Sequence, residues 1–410
     1  MAGSPLQPGD GSPVPDRRQE RTVTGARFVP FAVPTLGDSE RAAVNRVISS
    51  GWLSTGEEAA AFETEFAEML GVTHAVALNS CTAALHLALV AANIGVGDEV
   101  IVPTVTFTAT AAAVVHAGAT PVLADVEPSD LTLGPDQVDA VRTERTKAVI
   151  AVHFAGRMAD MAKLRALCEA HSLLLIEDAA HTLPATRDGA NAGTVGDVSA
   201  FSFFATKPIT TAEGGMLATN NARIADEARC WSLHGLSRGA ADRYRPRGRS
   251  HYDVDRPGFK YNMSDLAASL GRAQLQRSGE LMDSRRAIAD LYIRHLSAVP
   301  GLELPRADTS TDRSSWYLFP IRLRTDQLRL DRDDIRDRLG EAGVGTSIHF
   351  QPLHTFTWYA SNVVRAWQRF PNADEAFPQL VSLPIYPTMT ADDIQYVVEA
   401  VGNVLSDAAA

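Results

Sequence analysis

Between about residues 74 and 219, short apolar runs alternate with segments of helical period. HAVALN is followed by CTAALHLALVAAN, and EVIVP by FTATAAAVVHAG. TPVLADV, a helix near 135–143, KAVIAVHF, a helix near 160–171 and LLLIED come next. The strand-like runs are rich in Val, Ile and Leu and do not alternate strictly with polar residues, as expected of strands covered on both faces. Repeated β-α-β units in this order predict an open, mostly parallel sheet flanked by helices. DVSAFSFF, GGMLAT and a helix from about 222 complete a large α/β domain over residues 27–263.

The pattern changes at Ser264. SDLAASLGRAQLQRSGELMDSRRAIADLYIRHL predicts one long helix, and SWYLFPIRL a strand. A helix near 332–342, the strand candidate VGTSIHF and a final helix near 390–406 follow. Residues 264–410 therefore read as a long helix leading into a smaller α/β domain. The first 26 residues mix Pro, Gly and charge with no apolar core. They predict a disordered lead-in and not a signal peptide.

Composition limits the function classes. The 410-residue chain is 45% hydrophobic and 21% charged, an ordinary globular balance. Its net charge of −11 argues against a nucleic-acid binder, whose affinity would come from a basic face. Three cysteines, Cys81, Cys168 and Cys230, form no CxxC pair and point to a reducing compartment. No run reaches the ~20 apolar residues of a membrane helix. A soluble cytoplasmic protein is expected.

In open parallel sheets ligands collect at the carboxyl ends of the strands. Those ends carry Ser80-Cys81-Thr82 opening a helix, Phe107, Glu177-Asp178-Ala179-Ala180-His181, Ser202, Thr206-Lys207 and Glu213-Gly214-Gly215. Singly, most have a plainer reading: Ser or Thr at a helix start is commonly a cap, and Phe107 a core aromatic. Lys207 is harder to set aside, because an unpaired ammonium beside an apolar strand is costly. Together they suit pyridoxal 5'-phosphate. That cofactor needs a lysine amine for a Schiff base, an anion cradle and a carboxylate for its ring nitrogen. A helix N-terminus at 80–82 offers N–H groups and positive dipole to the phosphate. Ser202 can add a hydroxyl, Asp178 can hold the ring nitrogen protonated, and Phe107 and Ala180 can cover the two ring faces.

The chain resembles the DegT/DnrJ/EryC1/StrS sugar aminotransferases, fold-type I pyridoxal-phosphate enzymes, from about Phe31 to Val404. GWLSTG, ALNSCTAALHLAL, GDEVIVPTVTFTATAAAV, IEDAAHTLPA, GDVSAFSFFATKPITTAEGGML, GFKYNMSDLAASLGRAQL, WYLFPIRL, GVGTSIHFQPLH and SLPIYPTMT carry the likeness. It implies that Lys207 is the catalytic lysine, that Asp178 pairs with the ring nitrogen and that His181 lies near the phenolic oxygen. Phe107 would stack on the ring, and Cys81, Thr82 and Ser202 would bind the phosphate. It further implies a homodimer with shared sites, in which Asn262 reaches the neighbouring subunit's phosphate. Cys81 stands where many relatives carry glycine, Pro208 where they often carry Asn, and Phe107 where some carry Trp.

Substrate contacts are less determined. Arg238 to Arg249 holds five arginines, including Arg245, and reads either as a solvated loop or as a clamp for a diphosphate. Lys260 and Tyr261 are further candidates, and His349 is either a sugar contact or a core histidine. His349 and His354 lack a third ligand at zinc-site spacing, so no metal is expected.

The resemblance implies a keto-sugar nucleotide as substrate and glutamate as amino donor. EDAAH and SIHFQPLH resemble enzymes acting at C4 more than at C3, and a dTDP-linked 4-keto-6-deoxyhexose is the expected sugar. Three alternatives stay open: a sugar dehydratase, against which Lys207 counts; an amino-acid aminotransferase or a desulfurase, for the latter of which no cysteine is suitably placed; and a silent binding protein on the same fold.

Overall fold

A computed structural model describes residues 27–236 and 253–409. The lead-in 1–26 and the arginine-rich stretch 238–249, Arg245 included, lie outside the described residues.

Seven strands form the large sheet: β1 (His74–Leu78), β2 (Glu99–Pro103), β3 (Thr120–Ala124), β4 (Thr146–Val152), β5 (Leu174–Asp178), β6 (Val198–Ser202) and β7 (Gly215–Thr219). In space they run β1-β7-β6-β5-β4-β2-β3. Every pairing is parallel except the two that β7 makes, with β1 and with β6. Nearly all strand positions are buried, which is why the apolar runs do not alternate.

Two helices precede the sheet that the sequence pattern did not reveal, α1 (Asp38–Ser50) and α2 (Glu57–Leu70). Phe62 and Phe66 of α2 are fully buried, and Phe66 meets Phe201 edge-on at 5.0 Å. Gly56 precedes α2 and has no side chain to cap it. Asp265, far along the chain, does so instead, accepting from the N–H groups of Gly56 (2.7 Å) and Ala59 (3.0 Å).

The expected long helix is two, Asp265–Gln276 and Ser278–Leu296. Arg277 leaves the helical region (φ −99°, ψ 4°), and Gly279 follows. The helix expected over 135–143 spans only Pro135–Asp139. There the Thr143 N–H donates to Thr146 Oγ1 instead of to a helical carbonyl. VGTSIHF is not a strand either. Val344 bridges Val29 and Ser347 bridges Ser382, so no continuous ladder forms on one partner.

The small lobe is a three-stranded antiparallel sheet, Leu302–Glu303, Phe319–Leu323 and Leu380–Leu383. Helices Ser278–Leu296, Arg332–Glu341 and Ala391–Ala408 contribute buried residues to the same core. Val29 belongs to that core, and Arg27 pairs with Asp393 at 3.0 Å. By packing, this first stretch goes with the small lobe. No described helix is long and apolar enough to cross a membrane.

Arg285 joins the Ser278–Leu296 helix to the backbone around Trp316 and Ile385 in the small-lobe core. Its buried guanidinium donates to the carbonyls of Ile385 (2.8 Å) and Trp316 (3.2 Å), with no carboxylate partner among the described residues. Burial pulls its pKa down to about 10. Arg285→Ala leaves those carbonyls unsatisfied, so it is expected to destabilise the fold by about 3 kcal/mol. A lowered urea midpoint checks this, and an unchanged midpoint contradicts it.

Candidate active site

The ends of four strands meet at one edge of the large sheet. Leu78 of β1 and Ser202 of β6 both pair with Gly215, and Asp178 of β5 pairs with Ala200 two residues inside the edge. A Cβ on Gly215 would lie 2.3 Å from the carbonyl carbon of Ser80 and 2.5 Å from the nitrogen of Cys81. Only glycine permits that approach of strand to helix start. The helix Cys81–Ala91 therefore begins directly over the sheet edge. Ser80 caps it, accepting from Ala83 N at 3.1 Å. Its other first-turn N–H groups and its positive end remain for an anion.

The connection from β6 to β7 carries Lys207. It closes on itself through Phe203 N to Gly214 O (2.9 Å), Thr211 N to Phe203 O (2.9 Å) and Lys207 N to Phe204 O (2.9 Å). Pro208 fixes φ immediately afterwards, which limits how the lysine backbone can turn. The Lys207 ammonium sits 4.2 Å from the centre of the Tyr317 ring, and Thr206 Oγ1 meets the Tyr317 hydroxyl at 3.2 Å.

A cavity of about 410 Å³ opens at this edge. Among the described residues lining it, Lys207 supplies the one side-chain amine and Asp178 and Glu213 the carboxylates. Asp178 is buried. Oδ2 accepts from Thr110 Oγ1 at 2.8 Å, and Oδ1 from Ala180 N at 3.2 Å, with the Cys81 thiol 4.0 Å away. Burial pushes its carboxyl above the usual range, and the Thr110 hydroxyl, the Ala180 N–H and the Lys207 charge oppose that only in part. Burial, with Asp178 beside it, also raises the Cys81 thiol well above its ordinary value, so the thiol stays protonated.

His181 packs face-on to Phe350 (5.6 Å) and tilted to Tyr317 (4.6 Å). Its Nδ1 accepts from Ala155 N at 3.2 Å, which puts the proton of the neutral ring on Nε2. Burial and the nearby Lys207 charge hold its pKa well below the ordinary value. Ala155 lies in a turn anchored from behind. His153 Nδ1 accepts from Ala159 N (3.2 Å), while Nε2 donates to Glu177 (2.7 Å). Glu177 also accepts the N–H groups of Gly193 (2.7 Å), Val195 (2.8 Å) and Gly196 (2.5 Å). His349 stacks on Phe31 at 5.5 Å and meets Ser382 Oγ at 2.9 Å, and burial next to Lys207 lowers its pKa to about 4.

Cys81, Thr82, Phe107, Asp178, Ala180, His181, Ser202, Lys207 and His349 thus line a single cavity. The remaining candidates lie elsewhere. Asn262 bonds to Thr55 Oγ1 and to Lys260 Nζ, both at 2.5 Å, facing an adjoining surface hollow with Val44 and Ile48 that shares Glu213 with the cavity. Tyr261 stacks flat on Phe259 at 5.0 Å and its hydroxyl meets His86 at 3.2 Å, so it packs away from the cavity. His354 is held by Thr104 (2.7 Å) and Asp374 (2.8 Å), outside the cavity lining. Thr106, Thr110, Phe350 and Phe31 line the cavity without having been singled out from sequence. Of these, Thr110 carried a legible signal: it lies four residues after Thr106, behind the second strand.

Pyridoxal phosphate fits this residue set. The buried Asp178 carboxylate has hydroxyl and amide donors but no ion-pair partner among the described residues, and a protonated ring nitrogen would supply one. A helix start for a phosphate, an amine and flanking aromatic rings stand around the same space. Fold and cavity together define a fold-type I aminotransferase that uses pyridoxal 5'-phosphate. The family model described as the DegT/DnrJ/EryC1/StrS aminotransferase family matches residues 34–402, and the chain belongs to that family. It is 42% identical over 382 residues to the spore coat polysaccharide biosynthesis protein SpsC of Bacillus subtilis, covering 93% of this chain and 98% of that one. The aminotransferase TlmJ of Streptoalloteichus hindustanus superposes with a TM-score of 0.85 at 33% identity, covering 93% and 99% of the two chains. The PLP-form of Spr1654 from Streptococcus pneumoniae gives 0.85 at 30% identity, again covering 93% and 99%.

Both cavity histidines have folded pKa values below their ordinary one. The unfolded chain therefore binds protons that the fold excludes, and stability present above about pH 6.5 is lost as pH falls towards 4. Denaturant midpoints of the apoprotein from pH 7.5 to 4.5 should show this, with His349→Gln flattening part of the slope. A slope identical in the variant would remove His349 from the account.

Proposed function

We propose that the enzyme aminates a nucleotide-linked keto sugar, taking the amino group from glutamate. Lys207 would hold the cofactor and move protons at Nζ between donor and acceptor carbons. Asp178 would keep the ring nitrogen protonated, and the His181 Nε2–H would donate to the phenolic oxygen. The first turn at Cys81-Thr82, with Ser202, would bind the phosphate. When bound, pyridoxal phosphate supplies an electron sink conjugated to the reacting carbon. An ion pair at ~4 Å is worth about 4 kcal/mol at an effective dielectric of ~20, enough to keep a ring nitrogen protonated near neutral pH.

The observation that carries the sugar reading is the aromatic lining that Lys207 shares. Tyr317, His349, Phe350, Phe107 and Phe31 are aromatic, and the depressed pKa of His349 keeps it neutral. Such a wall suits a deoxysugar with few charged groups. A dTDP-linked 4-keto-6-deoxyhexose aminated at C4 is the specific substrate proposed, in a soluble cytoplasmic pathway to a secondary metabolite or surface glycan. SpsC, a polysaccharide biosynthesis protein, supports the glycan direction. The hollow at Asn262, rimmed by Val44, Ile48 and Leu266, supports a homodimer in which Asn262 serves the neighbouring site.

Lys207→Ala is expected to abolish turnover and the visible absorption of lysine-bound pyridoxal phosphate while leaving the fold intact. Normal turnover with an unaltered spectrum would refute the role of Lys207. Mixing Lys207→Ala chains with Asn262→Ala chains should restore activity, because one site per mixed dimer keeps both residues; demonstrably mixed dimers without activity rule out the shared site. Incubation with glutamate and dTDP-linked 3-keto and 4-keto sugars should place the new amine at C4 by NMR. An amine at C3 overturns the regiochemistry, and turnover of simple 2-oxo acids alone overturns the sugar assignment.

A further inference from the structure

The Asp178 carboxylate is aimed by a chain of buried hydroxyls that its family role does not by itself require. Thr110 Oγ1 lies 2.8 Å from Asp178 Oδ2 and 2.8 Å from Thr106 Oγ1. A hydroxyl has one proton. Thr110 gives it to the carboxylate, so the Thr106–Thr110 bond must be donated by Thr106. The three groups form a line of fixed polarity, Thr106 to Thr110 to Asp178, and all are buried. Thr110 lies in the first turn of the helix Ala109–His116 and Thr106 in the loop that leads into it, so one short segment sets the whole line.

We propose that Thr110, backed by Thr106, is a positioning residue for transamination, fixing the Asp178 carboxylate through Oδ2 and keeping it charged. The inference rests on the reading of Asp178 as partner of the ring nitrogen. Packed against the same carboxylate are the Cys81 thiol from the helix over the sheet edge, Lys207 from the β6–β7 connection and His153 from the turn after β4. Cys81 stays protonated, and the Lys207 charge favours the ionised carboxylate in the apoprotein. Burial drives the carboxyl towards its neutral form, and the Thr110 hydroxyl stands first among the groups that oppose it. A hydrogen bond to a charged group is worth about one to two pKa units. Removing it raises the carboxyl pKa, so Asp178 would take up its proton at higher pH and release the ring nitrogen there.

The test uses Thr110→Val, which keeps the branched shape and loses the hydroxyl, Thr110→Ser, which keeps the hydroxyl, and Asp178→Asn as reference. Affinity of each apoprotein for pyridoxal phosphate is measured from pH 5 to 8. In the wild-type chain and Thr110→Ser the affinity should fall on the acid side at the same pH. Thr110→Val should move that fall upward by about one pH unit, so that binding is about tenfold weaker on the acid side and little changed well above the fall. Loss by one factor at every pH, or equal behaviour of the Ser and Val variants, means that Thr110 only packs and overturns the inference. The Asp178→Asn arm separates the two claims. If it removes the acid-side fall while Thr110→Val leaves it in place, only the hydroxyl chain is wrong. If the fall survives in Asp178→Asn, the assignment of Asp178 is wrong as well.

Discussion

The site is built on a contact between two stretches of backbone at Gly215. The first residue of an antiparallel strand is wedged between Leu78 and Ser202 with the Ser80–Cys81 peptide pressed on top of it. This contact fixes the height of the Cys81–Ala91 helix above the sheet. It also fixes where the β6–β7 connection must turn back, and Lys207 sits in that turn. Asp178 enters from the neighbouring strand two residues below. Anion site, amine and carboxylate are therefore three readings of one register. A side chain at residue 215 would separate the first from the other two.

The electrostatics follow from the same compactness. The Lys207 ammonium shares one cavity with two histidines and with the carboxylates of Asp178 and Glu213. Neutral histidines beside a cation are the cheaper arrangement there, and the polarity of His181 is set from outside the cavity. Glu177 holds His153, His153 holds the turn at Ala159, and Ala155 of that turn presents its N–H to His181. Glu177 and Asp178 are adjacent in sequence and point to opposite jobs. One is spent on backbone N–H groups, and the other is left facing the cavity.

Much of this was legible in the sequence because the strand ends carry the chemistry. The buried runs gave the parallel sheet, and the polar residues following them gave Cys81, Thr82, Asp178, His181, Ser202 and Lys207, all of which line one cavity. What stayed hidden depends on partners far along the chain. The helix α2 is capped by Asp265 rather than by its own residues, so its start carried no local signal. VGTSIHF has the alternation of a strand but meets Val29 and Ser382 at separate points. Tyr261 and Lys260 lay close in sequence to Asn262, and proximity in sequence said nothing of the stack with Phe259 that turns Tyr261 inward. The arginine-rich stretch, with Arg245, lies outside the described residues.

The first described residues run along the small lobe before crossing to the large one. Val29 pairs with Val344, and two residues later Phe31 lies on His349 at the cavity wall. The large lobe thus furnishes the groups common to every aminotransferase step, while the small lobe and this crossing segment furnish much of the aromatic wall. On the proposed reading of the wall as the sugar contact, variation there would alter which sugar is accepted without touching the register at Gly215. Selection for new acceptors therefore has a tract of sequence to act on that is physically separate from the amine-transfer chemistry. Tyr317, which touches Lys207 and the wall alike, is the position where the two demands collide.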